Sequence, residues 1–77
     1  MRIVNLPVRV ETAAEQPSAV WWGYRRKVMA VLDSWSSSGR WWQGELPREH
    51  YRLLLFRELT VEIYHQGEEW YLLRVAD

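Results

Sequence analysis

Trp21-Trp22-Gly23-Tyr24-Arg25-Arg26-Lys27-Val28-Met29-Ala30-Val31-Leu32-Asp33-Ser34-Trp35 is the stretch on which the fold turns. Within it Trp21, Tyr24, Val28, Val31, Leu32 and Trp35 recur at i, i+3, i+7, i+10, i+11 and i+14, the spacing of one apolar helix face. Gly23 opposes a helix, because glycine inside one costs about 1 kcal/mol relative to alanine. The side chains of Val20, Trp21, Trp22, Tyr24, Val28 and Val31 also suit a pleated, half-buried strand. In the strand reading Gly23 is the turn of a hairpin, with residues 19–22 running against residues 25–32. Periodicity alone leaves both readings open.

N-terminal to this stretch, residues 1–11 alternate. Val4, Leu6, Val8 and Val10 share one face and Asn5, Pro7 and Arg9 the other, which predicts a half-buried strand. Pro7 cannot donate to a ladder, so the strand lies at an edge or carries a bulge. Residues 12–18 are polar, contain Pro17, and read as a loop. C-terminal to it, residues 34–39 form a Ser/Gly loop around Trp35, residues 40–43 a short strand, and Gly44-Glu45-Leu46-Pro47 a turn. Residues 50–57, 60–66 and 69–75 are three more strands, spaced closely enough for an antiparallel meander. Gly67 supplies a positive φ for one of their turns, whereas the turn near Glu58 has neither Gly nor Pro. The expectation is one all-β domain over residues 1–77, with six or seven antiparallel strands curled into a small barrel or half-barrel. Val8, Val28, Leu32, Trp42, Leu53, Leu55, Ile63, Leu72 and Val75 are its expected core.

The chain has 77 residues, and a domain of that size buries only about 60% of its unfolded surface. It has no Cys, which excludes disulfides, thiolate zinc sites and a thiol nucleophile, and which suits a reducing cytoplasm. Aromatic mass is concentrated instead in six Trp, four Tyr and one Phe. The longest apolar runs, 28–32 and 53–56, fall far short of the ~20 residues of a spanning helix. The N-terminus lacks the apolar core of a signal peptide. A cytoplasmic protein with no membrane partner is expected. Ten cations balance ten anions, unlike the usual basic nucleic-acid binder. They are unevenly spread: residues 1–44 carry six cations and three anions, a net +3, and residues 45–77 four and seven, a net −3.

Catalysis requires a nucleophile, a base and an orienting group in contact. His50 and His65 are the only histidines; with Glu49 or Glu62 they offer no short metal-ligand spacing. Glu45, Glu49, Glu58 and Glu62 suit charged strand faces better than a catalytic carboxylate pair. Ser36-Ser37-Ser38 has no histidine in its segment, and no Gly-rich phosphate loop exists. No catalytic set, metal site or cofactor is expected. Binding chemistry is better represented. Trp21-Trp22 and Trp41-Trp42 are adjacent pairs, and neighbouring side chains on a strand point to opposite faces, so one of each pair must leave the core face unless a bulge intervenes. Trp22, Arg25, Arg26 and Lys27 at the hairpin tip, with Arg40 beside the Gly39 loop, are the candidate binding residues. Aromatic rings among arginines can stack single-stranded bases or anchor a protein interface. An aromatic cage of Trp41, Tyr51, Tyr64 and Trp70, holding a peptide or a cationic side chain, is the alternative.

A longer motif joins these pieces. Trp21, Gly23, Val28 and Val31-Leu32-Asp33-x-Trp35 lead to Gly39-x-Trp41-Trp42-x-Gly44-Glu45, then His50-Tyr51-Arg52, Glu62-x-Tyr64 and Trp70-Tyr71-Leu72. From Trp21 onward the chain resembles a small bacterial family of unknown function, encoded beside Y-family DNA polymerase genes and similar to the C-terminal module of ImuB-like translesion polymerase relatives. Arg26, the Glu58 turn and His65 depart from the family pattern. The resemblance favours the hairpin over the helix. It implies a non-enzymatic accessory module of DNA repair or translesion synthesis, with a protein partner in a polymerase or recombination-type complex. Direct binding of single-stranded nucleic acid through Trp, Tyr and Arg is the other role it leaves open.

Overall fold

The computed structural model describes residues 2–38 and 41–76, with Trp41 by its backbone only. Six strands follow in order: β1 (Arg2–Ala13), β2 (Gln16–Trp22), β3 (Tyr24–Ser37), β4 (Arg48–Leu55), β5 (Leu59–Gln66) and β6 (Glu69–Ala76). Each pairs antiparallel with the next, and β1 pairs with β6, closing a barrel.

The hairpin prevails over the helix. Trp22 pairs with Tyr24 across Gly23, whose φ is +76°. Open space surrounds that Cα, so the glycine is there for its backbone angle. The helix-like spacing has a physical source. The β3–β4 register shifts between Val28 and Ala30 and again between Val31 and Asp33, so Met29 and Leu32 are extra residues in the strand. The first bulge stretches an i, i+2 repeat into i, i+3. Val28 and Val31 therefore both pack against the core, opposite Leu55 and Leu53.

Three other expectations change. Residues 12–18 are largely strand: Ala13 pairs with Gln16 across Ala14 and Glu15, which take φ of 53° and 65°, and Pro17 is buried. β3 runs on through Ser37, where a loop was expected. Trp41–Gln43 is a 3-10 turn, not a strand. The β4–β5 turn is closed by Arg57 and Glu58, at φ 72° and 59°. Left-handed angles at non-glycine residues are uncommon, which is why residue type gave no sign of these turns.

Val20, Leu53, Leu55, Val61, Ile63, Leu72 and Val75 fill the barrel at 1% exposure or less, with Val4, Val8, Val10 and Val28 packed against them. Leu32 and Trp42 do not join them: Leu32 is a bulge residue at 50% exposure, and Trp42 lies in the 3-10 turn at 65%. β2 is short, so its two neighbours outrun it. β1 pairs with β6 through Val8 and with β2 only from Arg9; β3 pairs with β2 through Lys27 and with β4 from Val28.

Candidate functional site

Two turns distant in sequence meet at one end of the barrel. The Phe56 N–H, just past β4, donates to the Lys27 carbonyl oxygen at 2.8 Å and ties the β4–β5 turn to the start of β3. Between them lies a groove of about 460 Å³ lined by Tyr24, Arg25, Arg26, Lys27, Phe56 and Arg57. Four of the six are cations and none is acidic. Tyr24 and Phe56 are exposed, at 59% and 58%.

The cations are held in different ways. Arg25 is drawn to one side: its Nε donates to Glu11 Oε2 at 2.8 Å, and Trp21 Nε1 donates to the same oxygen at 2.8 Å. These two bonds, that of Arg25 foremost, hold the Glu11 carboxyl below its ordinary pKa, and the guanidinium is raised in return. Arg26 is clamped. Its guanidinium carbon lies 4.9 Å from the centre of the Trp22 ring and 4.1 Å from that of Tyr24, and its Nε donates to the Trp22 carbonyl at 2.9 Å. Lys27 and Arg57 have no carboxylate within 4 Å among the described residues, so their charge is available to a ligand.

The hairpin thus brings Arg25, Arg26 and Lys27 together. Trp22 is oriented otherwise than a stacking platform requires: it shares the face of Val20, packs against the core and is covered by Arg26. Trp21 is the outward member of the pair, at 39% exposure. Arg40 lies outside the described residues. Tyr24, Phe56 and Arg57 were missed. The β3–β4 pairing brings the β4–β5 turn to the hairpin, and no local pattern in the sequence announces that proximity.

The four-membered aromatic cage does not assemble. Tyr51 and Trp70 do meet, with ring centres 5.8 Å apart, and His65 stacks on Trp70 at 4.2 Å. Tyr64 follows core-facing Ile63 on β5 and therefore lies on the opposite face, stacked on Tyr71 at 4.9 Å. The Trp41 side chain is outside the description. The outer face carries a row of its own: Trp35 stacks on His50 at 5.2 Å, and His50 is 5.6 Å from Tyr64. Buried there, the His50 imidazole has its pKa pushed down; Nε2 is 3.2 Å from Ser37 Oγ and Nδ1 has no partner. Among the described residues no three His, Asp or Glu side chains cluster as metal ligands would.

Comparison with protein-family models, curated proteins and solved structures finds no match to the chain.

Proposed function

We propose that this barrel is a non-enzymatic docking module that takes an acidic segment of a partner protein in the groove between the hairpin and the β4–β5 turn. One observation carries the reading: four cations and two exposed rings line a single concavity that contains no carboxylate. A volume of about 460 Å³ suits a few side chains, near the low end of the ~300–1,000 Å³ of ligand pockets. Carboxylates of the partner would meet Lys27 and Arg57, while an apolar side chain between them would lie on Tyr24 and Phe56.

Nucleic acid fits less well, because a single strand is tracked by a charged groove several nucleotides long. Among the described residues, four further cations are engaged elsewhere. Arg48 pairs with Glu45 at 3.7 Å and Arg74 with Glu62 at 3.2 Å, while Arg9 and Arg52 lie over Trp21 and Trp35. The approach to β4, its first residues and the β5–β6 hairpin carry Glu45, Glu49, Glu68 and Glu69. The resemblance of the Gly39 to Glu45 motif and the Trp70-Tyr71-Leu72 strand to modules beside Y-family polymerases supports a partner in bacterial DNA repair or translesion synthesis.

The test is an NMR titration of isotopically labelled protein with two probes. One is a short peptide with acidic residues on both sides of a phenylalanine; the other is a short oligothymidylate. The peptide is expected to shift the amides of Tyr24, Lys27, Phe56 and Arg57, and to bind less tightly as salt screens its few carboxylates. Tighter binding of the oligothymidylate, with the steep salt dependence of phosphate contacts, would replace the protein partner with a nucleic acid. No shift at these amides with either probe would show that the groove binds neither class of ligand.

A further inference from the structure

The short β2 leaves part of β3 with one open side. From Val28 to Ser37 this strand pairs with β4 along one edge, and among the described residues its other edge has no main-chain partner. Pairing with β2 stops at Lys27 for a visible reason: the next β2 residues lead to Pro17, which has no N–H to give, while β3 bulges at Met29. The stranded edge is ten residues long, Val-Met-Ala-Val-Leu-Asp-Ser-Trp-Ser-Ser, with one charge, Asp33. Met29, Leu32 and Trp35 along it are exposed at 54%, 50% and 36%.

Soluble proteins protect such edges with proline, lysine or arginine, or bulges, because an open row of N–H and C=O groups recruits another strand. On β1, whose residues Arg2 to Val8 also lack a ladder partner on the β2 side among the described residues, Pro7, Arg2 and the Asn5 bulge at φ 49° serve this purpose. The β3 edge has no proline and no basic residue. Its two bulges add twist but leave Met29 and Leu32 half exposed.

We propose that this edge pairs with the same edge of a second copy, β3 against β3 in antiparallel fashion about a two-fold axis at Leu32. Three observations favour a second copy as the occupant. A strand paired antiparallel with itself is an isologous contact, which closes at two. The Leu32 register is self-complementary, since it sets Met29 opposite Trp35 of the second copy and Asp33 opposite Val31, so no like charges meet; an axis at Asp33 would oppose two carboxylates. A net charge of zero puts no long-range repulsion between copies. Pairing also supplies what a 77-residue chain without cysteine lacks, an additional source of stability. The dimer is independent of the groove, which is lined by the first four residues of β3 and by the β4–β5 turn.

The absence of native cysteine permits a clean test. In the full chain Leu32→Cys places two thiols on the axis, where antiparallel Cα separations of about 4.5–5.5 Å fall within disulfide reach. Ile3→Cys, at a residue 70% exposed on β1, is the control. Under the same mild oxidant Leu32→Cys is expected to cross-link rapidly into a dimer and Ile3→Cys slowly. Sedimentation velocity of the wild type should show mass rising from one chain toward two between micromolar and millimolar concentration. Leu32→Lys should weaken dimerisation by about tenfold or more through like charges at the axis. Met29→Lys, away from the axis, is the second variant should the first unfold. A wild type that stays monomeric to millimolar concentration overturns the proposal and leaves the edge to an extended segment of another protein. Equal cross-linking of the two cysteine variants overturns it as well.

Discussion

Replacing Leu72 by alanine tests the barrel where it closes. Leu72 is fully buried and stands opposite Leu6 on β1 and Ile63 on β5, so it joins the last strand to both neighbours. Removing a buried leucine side chain beyond Cβ costs about 2–5 kcal/mol, the larger values where the cavity cannot collapse. Both flanking strands are fixed by hydrogen bonds to β6, so the upper half of that range is expected. At ~0.05–0.15 kcal/mol per residue, a chain this long has a total stability of about 4–12 kcal/mol. The substitution therefore removes a large share of it. At about 4–8 °C per kcal/mol for a small domain, Tm should fall by roughly 15–40 °C. Urea denaturation followed by tryptophan fluorescence and far-ultraviolet circular dichroism reads the loss. The two probes should coincide, with the slope against urea unchanged. A loss below about 1 kcal/mol would refute the burial on which the register of β6 rests.

Three further predictions follow from particular side chains. Glu58→Gly should raise stability by about 0.5–1 kcal/mol, because glycine relieves the left-handed strain of the β4–β5 turn by more than its own entropic cost; thermal melting checks it. Stability should decline as pH falls from 7 toward 5. Burial lowers the folded-state pKa of His50, with Arg48 and Arg74 assisting and Glu62 opposing, so the unfolded chain takes up the proton first, from about its ordinary value of ~6.5 downward. His50→Phe should flatten that part of the profile in urea titrations at stepped pH. Among the cations, Lys27→Ala with Arg57→Ala should leave Tm nearly unchanged, within the ~0.5 kcal/mol usual for surface sites, while weakening the acidic peptide. Arg25→Ala with Arg26→Ala should lower Tm, because it releases Glu11 and uncovers Trp22 and Tyr24.

Alternation and turn chemistry made the meander of β4, β5 and β6 legible in the sequence, and with it Leu53, Leu55, Ile63, Leu72 and Val75. Gly23 marked the hairpin. The parts that stayed hidden have a common cause in backbone geometry that residue type does not report. Bulges at Met29 and Leu32 made a strand resemble a helix and moved Leu32 out of the core. Alanine, arginine and glutamate in left-handed turns hid the β1–β2 and β4–β5 connections. Half of the groove was legible as the Arg25-Arg26-Lys27 run. Phe56 and Arg57 were not, because only β3–β4 pairing carries them to the hairpin. The cage failed on a point already contained in the period of two: an inward Ile63 turns Tyr64 outward.

The most direct measurement of the docking claim is site-specific photocrosslinking in the native host, with Phe56 replaced by a photoreactive benzoyl-phenylalanine. The expected result is an adduct with a partner protein that survives nuclease, is destroyed by protease, and is lost when Lys27→Glu and Arg57→Glu reverse the charge of the groove. An adduct that disappears with nuclease, or one that persists unchanged after the charge reversal, would contradict it.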